Sequence, residues 1–243
     1  MPARAASDRA TDRDTDVDTS STVRVGPRTY ERVVVRTRWL RPGDRLEEVV
    51  RTHLPATVRT GDTVAISEKV VVLLTGRFVP VERVRPGRLA RFLVSQVRPR
   101  QGSRGLSVPA KMQYVLDRSG RARVLAAALA CALTRPLGVH GAFYRVAGPL
   151  ARDLDGGRPP YEHLLFPPLE GEAATALCDD LERELGIGIG IGVAVVDLND
   201  FGGTVRATSR SALPATELQE ALRDNPMGQR RTGTPVAVVR RVA

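Results

Sequence analysis

The sequence is poor in the residues that build soft-metal and redox chemistry. Among 243 residues there are 2 cysteines, Cys131 and Cys178, and 3 histidines, His53, His140 and His163, all scattered. Without CxxC or HxxxH spacing, a thiolate zinc site and a disulfide framework are excluded, and a catalytic metal has to be held by oxygen. That points to Mg²⁺ or Mn²⁺ on carboxylates, the usual companions of a nucleotide or a phosphorylated substrate. Aromatic residues make up 4% of the chain, too few for the stacking platforms that read single-stranded nucleic acid. No apolar run approaches the roughly 18 residues of a membrane-spanning helix, and nothing near Met1 resembles a signal peptide. A cytoplasmic protein with no membrane partner is expected.

Lysine is nearly absent as well. It stands only at Lys69 and Lys111, whereas arginine recurs from Arg4 to Arg241 and brings the formal charge to +10. Spread this evenly, the arginines read as ordinary surface positions rather than a phosphate-tracking patch, so nucleic acid is a disfavoured partner. Retention of two lysines suggests that a compact ammonium is wanted there, as on a phosphate oxygen.

Residues 1–22 are rich in Asp, Arg, Ser and Thr and hold almost no large apolar side chain. They are expected to form a disordered leader, with one domain over 23–243. Arg32–Val35 reads as a strand, and Asp44 as the N-cap of a helix to Leu54. Thr63–Ile66 reads as a strand and Val70–Leu74 as a further apolar run. Ala122–Thr134 is Ala/Leu-rich enough to predict a buried helix, and Glu172–Leu185 is amphipathic. Val193–Val196 and Val236–Val239 read as strands, and Ser107–Ala110 as a loop. The Gly-Ile alternation from Gly186 to Gly192 follows a helix and precedes a strand, which favours a tight connection over a phosphate-binding loop. Mixed elements without a βαβ repeat predict an α+β fold with mixed sheets and packed helices.

Four segments carry chemistry-bearing residues. An apolar strand delivers Asp197 at its C-terminal end and the following turn presents Asn199 and Asp200, three oxygen-bearing side chains ahead of Gly202 and Gly203 that form a tip able to hold a hard cation; the same residues also make an ordinary turn. Asp155 precedes two glycines, and Arg145 beside Tyr144 is suited to an anionic group, although both also fit an exposed surface. Lys69, in Ser67-Glu68-Lys69, is followed by Gly76-Arg77. Asn225 and Gln229 lie in a short loop with Asp224, Pro226 and Gly228, where turn chemistry explains the proline and glycine but not the two amides.

Gly61-Asp62-Thr63-Val64-Ala65-Ile66-Ser67-Glu68-Lys69 with Gly76-Arg77, Phe143-Tyr144-Arg145-Val146-Ala147-Gly148, Val195-Val196-Asp197-Leu198-Asn199-Asp200-Phe201-Gly202 and Asp224-Asn225-Pro226-Met227-Gly228-Gln229 together resemble the coenzyme F(420)-0:L-glutamate ligase (gamma-glutamyl ligase) family, in a short bacterial form. The resemblance runs from about Val33 to Arg240. It implies an interlocked homodimer and a ligase that uses GTP, or ATP, with Mg²⁺ or Mn²⁺ to activate a carboxylate as an acyl phosphate for attack by the amine of L-glutamate. The implied carboxylate substrate is the deazaflavin F(420)-0. Carried over by position, Asp197 is the expected metal ligand; Asp155 stands in for the second metal carboxylate, whose place in the family pattern is Leu150 here, and Asp200 is added from its place in the turn. Asp197 and Lys69 are the expected catalytic residues. Lys69, Arg77, Asn225 and Gln229 are expected at the nucleotide, and Tyr144, Arg145 and Asn199 at the substrate. Two alternatives stay open: an amide ligase for another carboxylate and amine in specialised metabolism, and a non-catalytic protein that binds nucleotide or nucleic acid.

Overall fold

The computed structural model describes residues 19–97, 105–185, 190–199, 202–228 and 233–242. In chain order its elements begin with β1 (Thr19–Val25), β2 (Arg28–Val35), α1 (Leu46–His53), β3 (Thr63–Ser67), α2 (Glu68–Leu74) and β4 (Val79–Pro80). The helices α3 (Arg88–Ser95), α4 (Pro109–Ser119), α5 (Arg121–Thr134), α6 (Ala142–Ala147) and α7 (Pro149–Asp153) follow. The chain then forms β5 (Asp155–Gly156), β6 (Leu164–Phe166), α8 (Gly171–Leu185), β7 (Gly192–Asn199), β8 (Gly202–Thr208), α9 (Ala215–Ala221) and β9 (Val236–Val242). The fold is α+β, as expected.

Six strands form one sheet in the order β1-β2-β9-β3-β7-β8, in which β3 and β7 run parallel and the other pairs antiparallel. The unbroken apolar runs of β3, β7 and β9 are explained by burial on both faces. Because side chains alternate, Val64, Ile66, Val193, Val195, Val236 and Val238 pack on α1, α2 and α8. Ala65, Ala194, Val196, Ala237 and Val239 face α9 with Tyr30 on the opposite side.

A second core is built from α3 to α7 around Met112, Val115, Leu116 and Val124. The three-stranded sheet β4-β6-β5 joins the two cores. Its middle strand turns Leu164 and Phe166 into the first core and Leu165 into the second.

Several expectations need correction. Thr19–Thr22 are not leader, because β1 begins at Thr19 and pairs with β2 from Thr19↔Val34 onward; residues 1–18 lie outside the described residues. Helix α1 has Arg45 at its cap position. Asp44 instead turns back to accept the Arg41 amide at 2.6 Å and both Arg38 nitrogens at 2.8 and 2.9 Å. The apolar run Val70–Leu74 lies in helix α2, and the loop expected over Ser107–Ala110 gives way at Pro109 to helix α4. Helix α5 is not buried: only Val124 and Ala127 are covered, while Leu129 and Leu133 are 61% and 65% exposed. Of the Gly-Ile run, residues 186–189 lie outside the described residues. Gly192 does make a close approach, since a Cβ there would stand 2.1 Å from the Ala212 backbone.

Candidate active site

Parallel pairing brings the C-terminal ends of β3 and β7 to the same edge of the sheet, Ser67 opposite Val196. The next residues on each chain are Glu68, which opens α2, and Asp197. The second core contributes Asp153 from the end of α7 and Asp155 from β5. Four carboxylates from four elements therefore meet where the two cores join.

Arg206, on β8, organises three of them. Its Nε donates to Glu68 Oε2 at 3.1 Å, its Nη1 to Asp153 Oδ2 at 2.9 Å and its Nη2 to Asp197 Oδ2 at 2.8 Å. Only 11% of the Arg206 side chain is exposed. The other oxygen of Glu68 accepts the Leu169 amide at 2.7 Å. Burial pushes the Glu68 and Asp197 carboxyls up from their ordinary values, against the opposing pull of Arg206. At Asp153 burial acts the same way, but hydrogen bonds from Arg152 and Arg206 outweigh it and hold the carboxyl below the usual range.

Asp155 pairs with Lys69 at 2.7 Å, and both side chains remain about half exposed. Lys69 also lies 6.0 Å from the Phe166 ring centroid. Beneath them the second lysine, Lys111, is buried on α4 and donates to the Leu154 carbonyl at 3.1 Å. Burial lowers its pKa and the nearby Lys69 adds to the effect, while Asp155 opposes it. Its stem needs the bare backbone of Gly156, where a Cβ would stand 3.0 Å from Lys111 Cε. Both lysines of the chain thus converge on β5.

The polar cluster forms the floor of an open cleft of about 2250 Å³. The floor carries Lys69, Asp153, Asp155 and Asp197, and an apolar wall is supplied by Phe92, Leu125 and Leu129. A small-molecule site commonly has this composition, with few polar groups against apolar surface.

The sequence model of the family F420-0:Gamma-glutamyl ligase matches residues 34–211. The chain belongs to this family. Its function is accordingly of the gamma-glutamyl ligase type, an enzyme acting on small-molecule substrates. No curated protein matches the chain. The family match spans Lys69, Asp155, Asp197 and Arg206 but ends before Asn225.

Of the residues expected at the ligase site, Lys69, Tyr144, Arg145, Asp155, Asp197, Asn199 and Asn225 all line the one cleft. Asp197 lies near the C-terminal end of β7, and Asn199 is the last residue of that strand rather than part of a turn after it; two residues apart, they share a face. Asp200 and Gln229 lie outside the described residues. Arg77 is the exception. It is exposed beyond the C-terminal end of α2, a helix rise of about 10 Å from Lys69 at the other end, and does not line the cleft.

Reading the sequence alone also missed Arg206, Asp153, Glu68 and Lys111 as partners in this site. Lysine rarity hinted at Lys111, and Glu68 adjoins Lys69. Nothing distinguishes Arg206 from the other arginines before the chain folds.

The carboxylates are the right donors for a hard cation, but their arrangement does not fit one. Asp197 is engaged by Arg206 and Asp155 by Lys69. Among the described residues no group of three or more His, Cys, Asp or Glu side chains is placed to hold a metal ion. A cysteine nucleophile is equally unsuited at Cys178, whose thiol is pushed up to about 12 by burial. Among the described residues no helix is long and apolar enough to cross a membrane.

Proposed function

We propose that the chain joins a substrate carboxylate to the amine of L-glutamate in a nucleotide-dependent reaction through an acyl phosphate. One observation carries this reading: a single cleft sets an exposed lysine, two accessible carboxylates and a flanking arginine against an apolar wall. Ligation by this route needs no protein nucleophile, because positioning and electrostatics supply most of the rate.

In the first step the substrate carboxylate attacks the terminal phosphorus of GTP, or ATP. The bond from that phosphorus to the bridging oxygen breaks, and nucleoside diphosphate leaves. In the second the amine attacks the acyl carbon and the carbon–oxygen bond to phosphate breaks, releasing inorganic phosphate. Lys69 meets the phosphates, exchanging Asp155 for them as charge partner, and Asp197 takes the proton given up by the amine. Arg145, Tyr144 and Asn199, which line the same cleft, meet an anionic substrate such as F(420)-0. Asn225, with Gln229, is proposed at the nucleotide. Any Mg²⁺ or Mn²⁺ arrives as part of the nucleotide substrate rather than on a preformed carboxylate site. A cytoplasmic location fits an enzyme that consumes nucleotide.

We also propose a homodimer as the working unit. Support comes from Leu125, Leu129 and Leu133, which repeat every four residues along α5 and are 45%, 61% and 65% exposed.

The reading is tested by inorganic phosphate release from purified protein given nucleotide, divalent metal and L-glutamate, with and without F(420)-0. Release that depends on F(420)-0 and falls about 100-fold or more in Asp197→Asn is the expected result. Nucleotide binding by the folded protein without phosphate release would favour the non-catalytic alternative. Turnover of a different carboxylate would favour the specialised ligase.

A further inference from the structure

Each nitrogen of the Arg206 guanidinium serves a different carboxylate, and the three carboxylates come from α2, α7 and β7. A hard divalent ion binding them would draw the oxygens to about 2.0–2.6 Å from one centre. Here that centre is taken by a planar cation whose nitrogens stand 2.8–3.1 Å from the oxygens. The guanidinium keeps its charge at any working pH, so it does not vacate the position by losing a proton. The guanidinium itself is largely covered, its side chain 11% exposed. Apart from the open cleft that Asp153, Asp155 and Asp197 also line, the void among Glu68, Asp153, Asp197 and the Lys69–Asp155 pair is about 10 Å³, room for about one water. Mg²⁺ gives up its waters reluctantly and usually keeps several.

We propose that Arg206 is the resident cation of this acidic cluster, occupying the place a divalent ion would need among Glu68, Asp153 and Asp197. Arg206 is then a positioning residue. It ties the two cores together across the cleft floor and fixes one oxygen of Asp197, leaving the rest of that carboxylate to face the cleft. The cluster's assembly follows from the chain alone and is independent of added metal.

The test is uptake of Mn²⁺ by the full chain without nucleotide, read from loss of the free-ion electron paramagnetic resonance signal and accompanied by circular dichroism to confirm folding. Arg206→Gln opens the carboxylate triad and is expected to bind one more Mn²⁺ per chain than the parent protein. Adding Asp153→Asn to that variant should abolish the extra site, and Arg206→Lys, which keeps a cation in place, should not create it. A folded Arg206→Gln that gains no Mn²⁺ overturns the proposal. If Arg206→Gln does not fold, Asp153→Asn in the parent background decides: unchanged uptake supports a cluster held by arginine, and loss of a bound Mn²⁺ overturns it. The readout is stoichiometry, so its failure is separable from failure of the ligase reading, which is judged by phosphate release.

Discussion

Glu217, on α9, gathers three donors from the edge of the large sheet. It accepts from Tyr30 Oη at 2.5 Å, from Arg241 Nη2 at 2.6 Å and from Arg28. The hydrogen bonds from Tyr30 and Arg241 hold its carboxyl below the ordinary value of 4.5. A carboxyl held down in the folded state stabilises the fold above its unfolded pKa and loses that contribution as the pH falls through its lower folded value. Glu217→Gln should therefore lower the melting temperature at neutral pH and flatten its acid limb below about pH 4.5, where the parent protein loses this contribution. Parallel acid limbs in melting curves of the two proteins would show that Glu217 carries no such linkage. The catalytic candidates divide differently at this scale. Lys69 and Asp197 were legible because a rare lysine and an acid at the end of an apolar strand stand out in one dimension. Arg206 was not, since an alternating Thr-Val-Arg-Ala strand presents an arginine the same way whether it faces water or three carboxylates.

Elements here are locked at their ends by charge as well as by packing. Arg240, on β9, reaches across to Asp62 at the start of β3, with nitrogen–oxygen distances of 2.7 and 2.6 Å, and donates to the Thr57 carbonyl at 2.7 Å. The Asp62 side chain is 1% exposed and also accepts the Arg59 amide at 2.9 Å. Removing one partner of a buried pair leaves the other charge uncompensated, which costs roughly 3–5 kcal/mol. Arg240→Met should show a loss of that size in urea unfolding. A loss below about 1 kcal/mol would mean that the pair behaves like an exposed one. Most elements were legible from periodicity and turn residues. The α1 cap was misplaced because Asp44 has two claims on it, the helix amides ahead and Arg38 behind. The bidentate guanidinium is the stronger partner. The loop expected over Ser107–Ala110 overlaps only the first two residues of α4, where proline in the first helical turn costs no hydrogen bond.

Across the whole molecule, the two cores meet along β6 and leave the cleft open beside their junction. Leu125 and Leu129 of α5 line the cleft, and with Leu133 they form an exposed apolar stripe along the helix. If the proposed dimer covers them, Leu129→Glu should shift sedimentation from dimer to monomer while leaving the circular dichroism of each chain unchanged. A parent protein that sediments as a monomer at all concentrations would remove the dimer. The stripe was misread from sequence as buried, since composition reports how apolar a helix is but not how many neighbours the fold provides for it.

What the sequence determined by itself is local or carried by recognisable segments: the α+β class, the apolar strands β3, β7 and β9, the long helices α5 and α8, the family and the candidates Lys69 and Asp197. Such features depend on residues within a few positions of one another, where periodicity, capping and turn chemistry act. Only the tertiary structure decided which charges meet. Glu68, Asp153, Asp197 and Arg206 are separated by up to 138 positions along the chain, and their pairing follows from the parallel register of β3 with β7 and the shared strand β6. Ion pairs between distant residues leave no periodic trace, because a charged side chain has the same local preferences whether its partner is water or a carboxylate delivered by another core.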